Sequence, residues 1–199
     1  MTRSPGLQNF LDATRDTFAK SGANRQALSV SEKIFEAANA TVGQAISPEP
    51  TKLPACRYLE DALDLARSEG GPVSNLATTL GKISSRLMWV TRPNGENDEP
   101  VFKMNHANAV VVGEGGLEAR SDIRIGMSLL APQTRYPDHQ HPPEEIYTVL
   151  SCGEWKQGPD GEFFSPGVGG FVHNVPYIVH GMRSGKFPLL AVWSLWIGN

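Results

Sequence analysis

The stretch YPDHQHPPEEIYTVLSCGEW, from Tyr136 to Trp155, concentrates groups that hold metals or move protons. It contains His139 and His141, two of the chain's five histidines, with the adjacent Glu144 and Glu145 and the tyrosines Tyr136 and Tyr147. His139, His141, Glu145, Tyr147 and Val149 share one parity. In an extended backbone alternate side chains face the same way, so this set lines one face of a strand. Pro142 and Pro143 interrupt the run, because proline cannot donate to a sheet ladder. A lone His-x-His is compatible with surface histidines in a polar turn. A spaced glutamate and a later histidine change the balance, and four of the five histidines lie at or after position 139. Three imidazole nitrogens and one carboxylate oxygen suit Fe, Mn, Zn, Ni or Co, without choosing among them.

The elements that must position these groups begin after Leu87. Short β-rich runs appear there, separated by Gly, Pro, Asn and Asp: LMWVTR, NAVVVG, DIRIGMSLLAP, EIYTVLSC, GGFVHNV, YIVHGM and LLAVWSLWI. Ile123, Ile125, Met127 and Leu129 alternate with Arg124, Gly126 and Ser128, which predicts a strand with one buried face. Turn signals lie at Cys152-Gly153-Glu154 and Pro159-Asp160-Gly161, and RPNGENDEP reads as an exposed loop. Many short strands with frequent turns predict a sandwich or a small barrel.

Residues 1–87 read as helices. Ser4 and Pro5 form an N-cap followed by a first-turn proline, and Leu7, Phe10, Leu11, Thr14 and Phe18 mark one face. Ser29 and Glu32 have the spacing of a capping box, with Ile34, Phe35, Ala38, Val42 and Ala45 continuing a second helix. A third carries Leu59, Ala62, Leu63 and Ala66 and ends near Gly70 and Gly71. A fourth, starting near Ser74, carries Leu76, Leu80, Ile83 and Leu87. The expected organisation is mainly β: an N-terminal α-helical segment over residues 1–87 and one small β-barrel or jelly-roll domain over residues 88–199.

Composition excludes several function classes. The net charge is -3, so no basic excess exists to neutralise a phosphate backbone, and nucleic acid is not an expected partner. No apolar run approaches the roughly 20 residues of a membrane span, and the first residues lack the apolar core of a secretory signal. Two cysteines, Cys56 and Cys152, are too few for a disulfide scaffold, which makes a cytoplasmic setting the expectation.

HQHPPEE with Gly153 beyond it resembles the first motif of the cupins, and GGFVHNVPYIVHG resembles the second, with Pro176 shortly before His180. Gln133 stands where many cupins have glycine, and the spacings Glu145 to Gly153 and Pro176 to His180 each differ by one residue from the usual pattern. The whole arrangement TRYPDHQHPPEEIYTVLSCGEW, with a helical segment before it and a length near 200, is similar to the DddQ-type dimethylsulfoniopropionate lyases. That resemblance implies His141, Glu145, Tyr147 and His180 as metal ligands, and Tyr136 as a second site tyrosine. It leaves His139 beside the metal, positioning substrate or supporting a ligand. It implies one divalent or trivalent transition-metal ion per chain, zinc or iron first, with manganese, cobalt and nickel also suited to these donors.

The reaction so implied is β-elimination of dimethylsulfoniopropionate to dimethyl sulfide and acrylate. The leaving group departs as a neutral thioether and needs no acid; the difficult step is proton removal next to a carboxylate. A metal on that carboxylate stabilises the developing charge, and Tyr147 or Tyr136 is the base. Aromatic faces suit the sulfonium, and Trp155, Trp193, Trp196, Tyr177 and Phe171 lie in or near expected strands. His106 and His173 read as structural, and Glu144 as solvent-facing. The alternatives are a cupin dioxygenase or isomerase with three histidines and one glutamate on the metal, and a non-catalytic cupin that binds a small ligand. The expected assembly is a monomer or homodimer.

Overall fold

The computed structural model describes residues 2–92 and 98–198. Helices α1 (Pro5–Ala19) and α2 (Arg25–Ala40) are followed by strand β1 (Gln44–Ala45), a 3-10 turn at Pro54–Tyr58, α3 (Leu59–Ser68) and α4 (Gly71–Ser84). Then come β2 (Trp89–Val90), α5 (Pro100–Asn105), β3 (His106–Val112), β4 (Glu118–Ala119), β5 (Ile123–Leu130) and β6 (Arg135–His139). The chain ends with β7 (Glu144–Val149), β8 (Glu154–Gln157), β9 (Phe171–Asn174), β10 (His180–Arg183) and β11 (Leu189–Trp196).

The strands form two sheets. The larger runs β1-β4-β3-β5-β11-β7-β9, with β2 on β3, and the smaller runs β6-β10-β8. All pairings between these strands are antiparallel except β3 with β4. The result is a mainly β, jelly-roll architecture of the cupin kind with an N-terminal helical segment. Its two sheets do not join into one continuous ladder.

The period-2 alternation decides which side chains meet. Ile123, Ile125, Met127 and Leu129 of β5 share one apolar cluster with Phe10, Leu11, Ile34, Leu63, Leu76 and Leu80 of the helices. The helices therefore cover the outer face of the large sheet. The alternate residues point inward. Leu130, Val110, Tyr147, Val149, Val172, Leu189, Ala191 and Trp193 form a second cluster with Tyr136, Trp155 and Met182 of the small sheet. The expectation of one buried face for β5 is corrected by this layering: Gly126 and Ser128 are buried as well. Gly126 is required there. It lies opposite Trp193, and a Cβ would sit 2.3 Å from the indole.

Some expected boundaries shift. Asn24 caps α2 by accepting from the Ala27 amide, so Ser29 and Glu32 lie inside the helix and form no capping box. The helix stops at Ala40, and Ala45 belongs to β1 instead. α4 starts at Gly71, with Pro72 in its first turn, ahead of the expected Ser74. Ser4 is the α1 N-cap residue, but its side chain makes no capping bond. Of the expected loop RPNGENDEP, residues 93–97 lie outside the described residues, and Arg92 and Asp98 on either side pair with each other. Among the described residues, no helix is long and apolar enough to cross a membrane.

Candidate metal centre

Three strands and one turn bring the chemistry together. β6 carries Tyr136 and His139, the Pro142–Pro143 turn carries His141, β7 carries Glu145 and Tyr147, and β10 carries His180. His139 and His180 are register partners across β6 and β10. The ligand atoms of His139, His141 and His180 all lie within 4.8 Å of one another. His139 thus stands in the cluster together with His141, its ring centroid 4.1 Å from that of His180.

Each ring is held by its other nitrogen. Nδ1 of His139 bonds the Pro137 carbonyl at 3.1 Å, that of His141 the Pro143 carbonyl at 3.0 Å, and that of His180 the Ile178 carbonyl at 2.9 Å. A carbonyl only accepts, so each Nδ1 carries the proton, and a neutral ring presents Nε2 as a bare lone pair. Nε2 of His141 lies 3.4 Å from Glu145 Oε2, and Nε2 of His180 lies 3.3 Å from the same oxygen. Lone pairs facing a buried carboxylate oxygen repel unless a proton or a cation lies among them. Nε2 of His180 is buried and has no hydrogen-bond partner of good geometry. An orphaned, buried Nε2 among three clustered imidazoles and beside one carboxylate fits a transition-metal ion.

The electrostatics follow the same geometry. Burial would raise the Glu145 carboxyl, but without a metal ion His141 and His180, where they carry a proton on Nε2, hold it far below the usual range. Burial, and secondarily His180, push His139 down to about 4. His141 is raised: burial opposes its charge, and Glu145 outweighs burial.

The two tyrosines differ. Tyr147 is 3% exposed and lies against Glu145. Burial, then the Glu145 charge, lifts its phenol well above 10. Tyr136 is raised to about 12 by burial, with the Asn108 amide and the Arg92 guanidinium acting in the opposite direction. Arg92 lies 5.5 Å over the Tyr136 ring. Asn108 is itself anchored, its Oδ1 accepting from the Ser128 hydroxyl at 2.6 Å.

The remaining expected residues separate by face. Trp155 and Trp193 lie inward with Tyr147, whereas Phe171 and Trp196 pack toward the helices and Tyr177 is exposed. His173 bonds Glu144, 2.7 Å from Nε2 to Oε1, and Glu144 is half-buried. His106 is fully buried, stacks on Phe102 and stands edge-on to Tyr136 at 4.9 Å. Sequence reasoning passed over Arg92, Asn108, Gln157 and Asn174. The available signal was a polar residue at an inward position of an apolar strand, as for Asn174 beside Val172.

A jelly-roll of two sheets enclosing a histidine–carboxylate cluster defines the cupin class of β proteins. Within it, the chain belongs to the dimethylsulfoniopropionate lyase family, whose profile matches residues 24–191. It is 26% identical over 156 residues to a Cereibacter sphaeroides protein provisionally named dimethylsulfoniopropionate lyase DddL, covering 78% of this chain and 64% of that one. It is 25% identical over 150 residues to dimethylsulfoniopropionate lyase DddQ of Ruegeria pomeroyi, covering 74% and 67%. The chain thus spans just under two thirds of the first relative's length. Its fold matches the crystal structure of DMSP lyase DddQ from Ruegeria pomeroyi DSS-3 with a TM-score of 0.77 at 22% identity, over 98% of this chain and 92% of that one.

Proposed function

We propose that this chain is a metal-dependent carbon–sulfur lyase that cleaves dimethylsulfoniopropionate to dimethyl sulfide and acrylate by β-elimination. The observation that carries the reading is the clustering of His139, His141 and His180, the last two against Glu145, with two buried tyrosines beside them, in a chain of this family.

The geometry favours His139, His141, His180 and Glu145 as the residues that hold the ion, with Tyr147 adjacent to Glu145 as the additional ligand that the resemblance implies. The bound ion supplies Lewis-acid stabilisation of charge developing on the substrate carboxylate. The chain supplies the base. Tyr136 is the better supported candidate, because Arg92 and Asn108 oppose the burial that raises its phenol to about 12, although it too needs the charge of the ion to ionise near neutral pH. Tyr147 has no such partner and depends on the charge of the ion for activation. The inward Trp155 and Trp193 are the aromatic residues available to the sulfonium. The free Cys56 and Cys152 accord with a cytoplasmic setting.

The test is head-space detection of dimethyl sulfide, with acrylate in solution, from purified chain and dimethylsulfoniopropionate. A cupin dioxygenase reading predicts oxygen consumption and no acrylate.

A further inference from the structure

Glu145 and His180 reach the centre from different sheets, β7 in the larger and β10 in the smaller. Their separation therefore depends on how the two sheets are tied at this point. Two amide side chains stand there. Asn174 on β9 is the register partner of Glu145, and Gln157 on β8 is the register partner of His180.

Asn174 is fully buried, and its Nδ2 donates to Glu145 Oε2 at 2.9 Å. Its Oδ1 accepts from Gln157 Nε2 at 2.8 Å, which also donates to the His173 carbonyl at 2.6 Å. The run Gln157 to Asn174 to Glu145 spans both sheets and ends on the carboxylate oxygen that faces His141 and His180. Its direction is forced. A carboxylate only accepts, so Nδ2 of Asn174 must face Glu145, and Oδ1 then requires a donor, which Gln157 provides. Burying an amide is unfavourable unless it is bonded, so packing alone does not account for Asn174 between inward apolar residues. An aspartate there would set a second carboxylate against Glu145.

We propose that Asn174, held by Gln157, is a positioning residue for the metal centre. It fixes which oxygen of Glu145 faces the imidazoles and sets the spacing of Glu145 from His180. This rests on the metal-centre reading above.

The test titrates the metal-free full chain with Co(II), following the visible absorption of the bound ion and its affinity by competition. Asn174→Leu keeps the bulk and removes both hydrogen bonds. Gln157→Met, at a half-buried position, leaves Asn174 in place but removes the donor that fixes it, together with the bond to the His173 carbonyl. Co(II) affinity falls about 10–100-fold in Asn174→Leu and by less in Gln157→Met. The absorption bands shift in both, while metal-free Gln157→Met still unfolds cooperatively, at a lower temperature because it leaves the Asn174 Oδ1 acceptor buried and unpaired. If Asn174→Leu does not fold, Gln157→Met decides by the same criteria. Unaltered affinity and bands in the variants overturn the inference alone. An unaltered chain that binds no Co(II) overturns the metal-centre reading, and the inference with it.

Discussion

Oε2 of Glu145 and Nε2 of His180 approach to 3.3 Å, although the two residues sit on different sheets 35 positions apart in the chain. Nδ1 of His180 is already committed to the Ile178 carbonyl, so the two facing atoms both present lone pairs when the ring is neutral. The fold thus holds a buried anion against an orphaned acceptor, an arrangement that a bound cation relieves.

The same reasoning gives His139 a testable place. Its ligand atom lies within 4.8 Å of those of His141 and His180, whereas the family resemblance implies a position beside the ion. His139→Ala should lower metal affinity at least about tenfold, read by metal analysis after dialysis. Tyr147→Phe, which removes only the additional ligand, should lower affinity by less. The reverse pattern assigns the ligand position to Tyr147.

For the base, Tyr136→Phe should lower kcat by about 10²–10⁴-fold, with metal content and KM close to those of the unaltered chain. The phenol ring is retained in all but its hydroxyl, so packing against Phe102 and His106 persists. A variant that turns over normally, beside an inactive but metal-loaded Tyr147→Phe, moves the base to Tyr147.

The helical segment is tied to the sheet by a buried pair. Arg3 donates through Nε and Nη2 to Glu118 at 2.6 and 2.9 Å, and through Nη2 to the Ala38 carbonyl. Arg3→Ala leaves Glu118 with the Gly43 amide and the more distant Arg120. Breaking a buried pair costs about 3–5 kcal/mol, with the lower end expected here, and thermal melting at pH 7 measures it. Burial would raise Glu118, but Arg3, the Gly43 amide and Arg120 outweigh it and bring the carboxyl below its ordinary 4.5. A depressed carboxyl contributes stability above its unfolded value and loses it as pH falls through the folded one. The gap in melting temperature between the two proteins should therefore shrink below about pH 4.5.

Gln133 occupies the left-handed region at φ 55, and its backbone N–H donates to the Gly185 carbonyl at 2.8 Å. A left-handed residue with a Cβ carries a cost of about 1–2 kcal/mol, partly offset by the chain entropy that glycine loses. Gln133→Gly should raise the melting temperature by roughly 1–4 °C, and Gln133→Ala should not. An unchanged or lower value in Gln133→Gly contradicts this reading of the turn.

That glycine position was legible in the sequence as a departure from the cupin motif, and the structure supplies its conformational reason. The alternation of Ile123, Ile125, Met127 and Leu129 was also legible, because the pleat translates parity directly into a face. What parity cannot show is that a second layer covers the other face, so the burial of Gly126 and Ser128 emerged only from packing. The histidines and Glu145 stood out by type and spacing. Asn174 and Gln157 did not, since their meaning comes from register partners 29 and 23 residues away. The start of α2 was misplaced because Asn24 and Ser29 both carry N-cap chemistry, and only the Ala27 amide selects between them.

The most direct measurement is dimethyl sulfide in the head-space over purified, metal-loaded chain given dimethylsulfoniopropionate, with acrylate quantified in the same vessel. The proposed lyase releases the two products in equal amounts and stops when a chelator strips the ion. A folded, metal-loaded chain that releases neither product contradicts it.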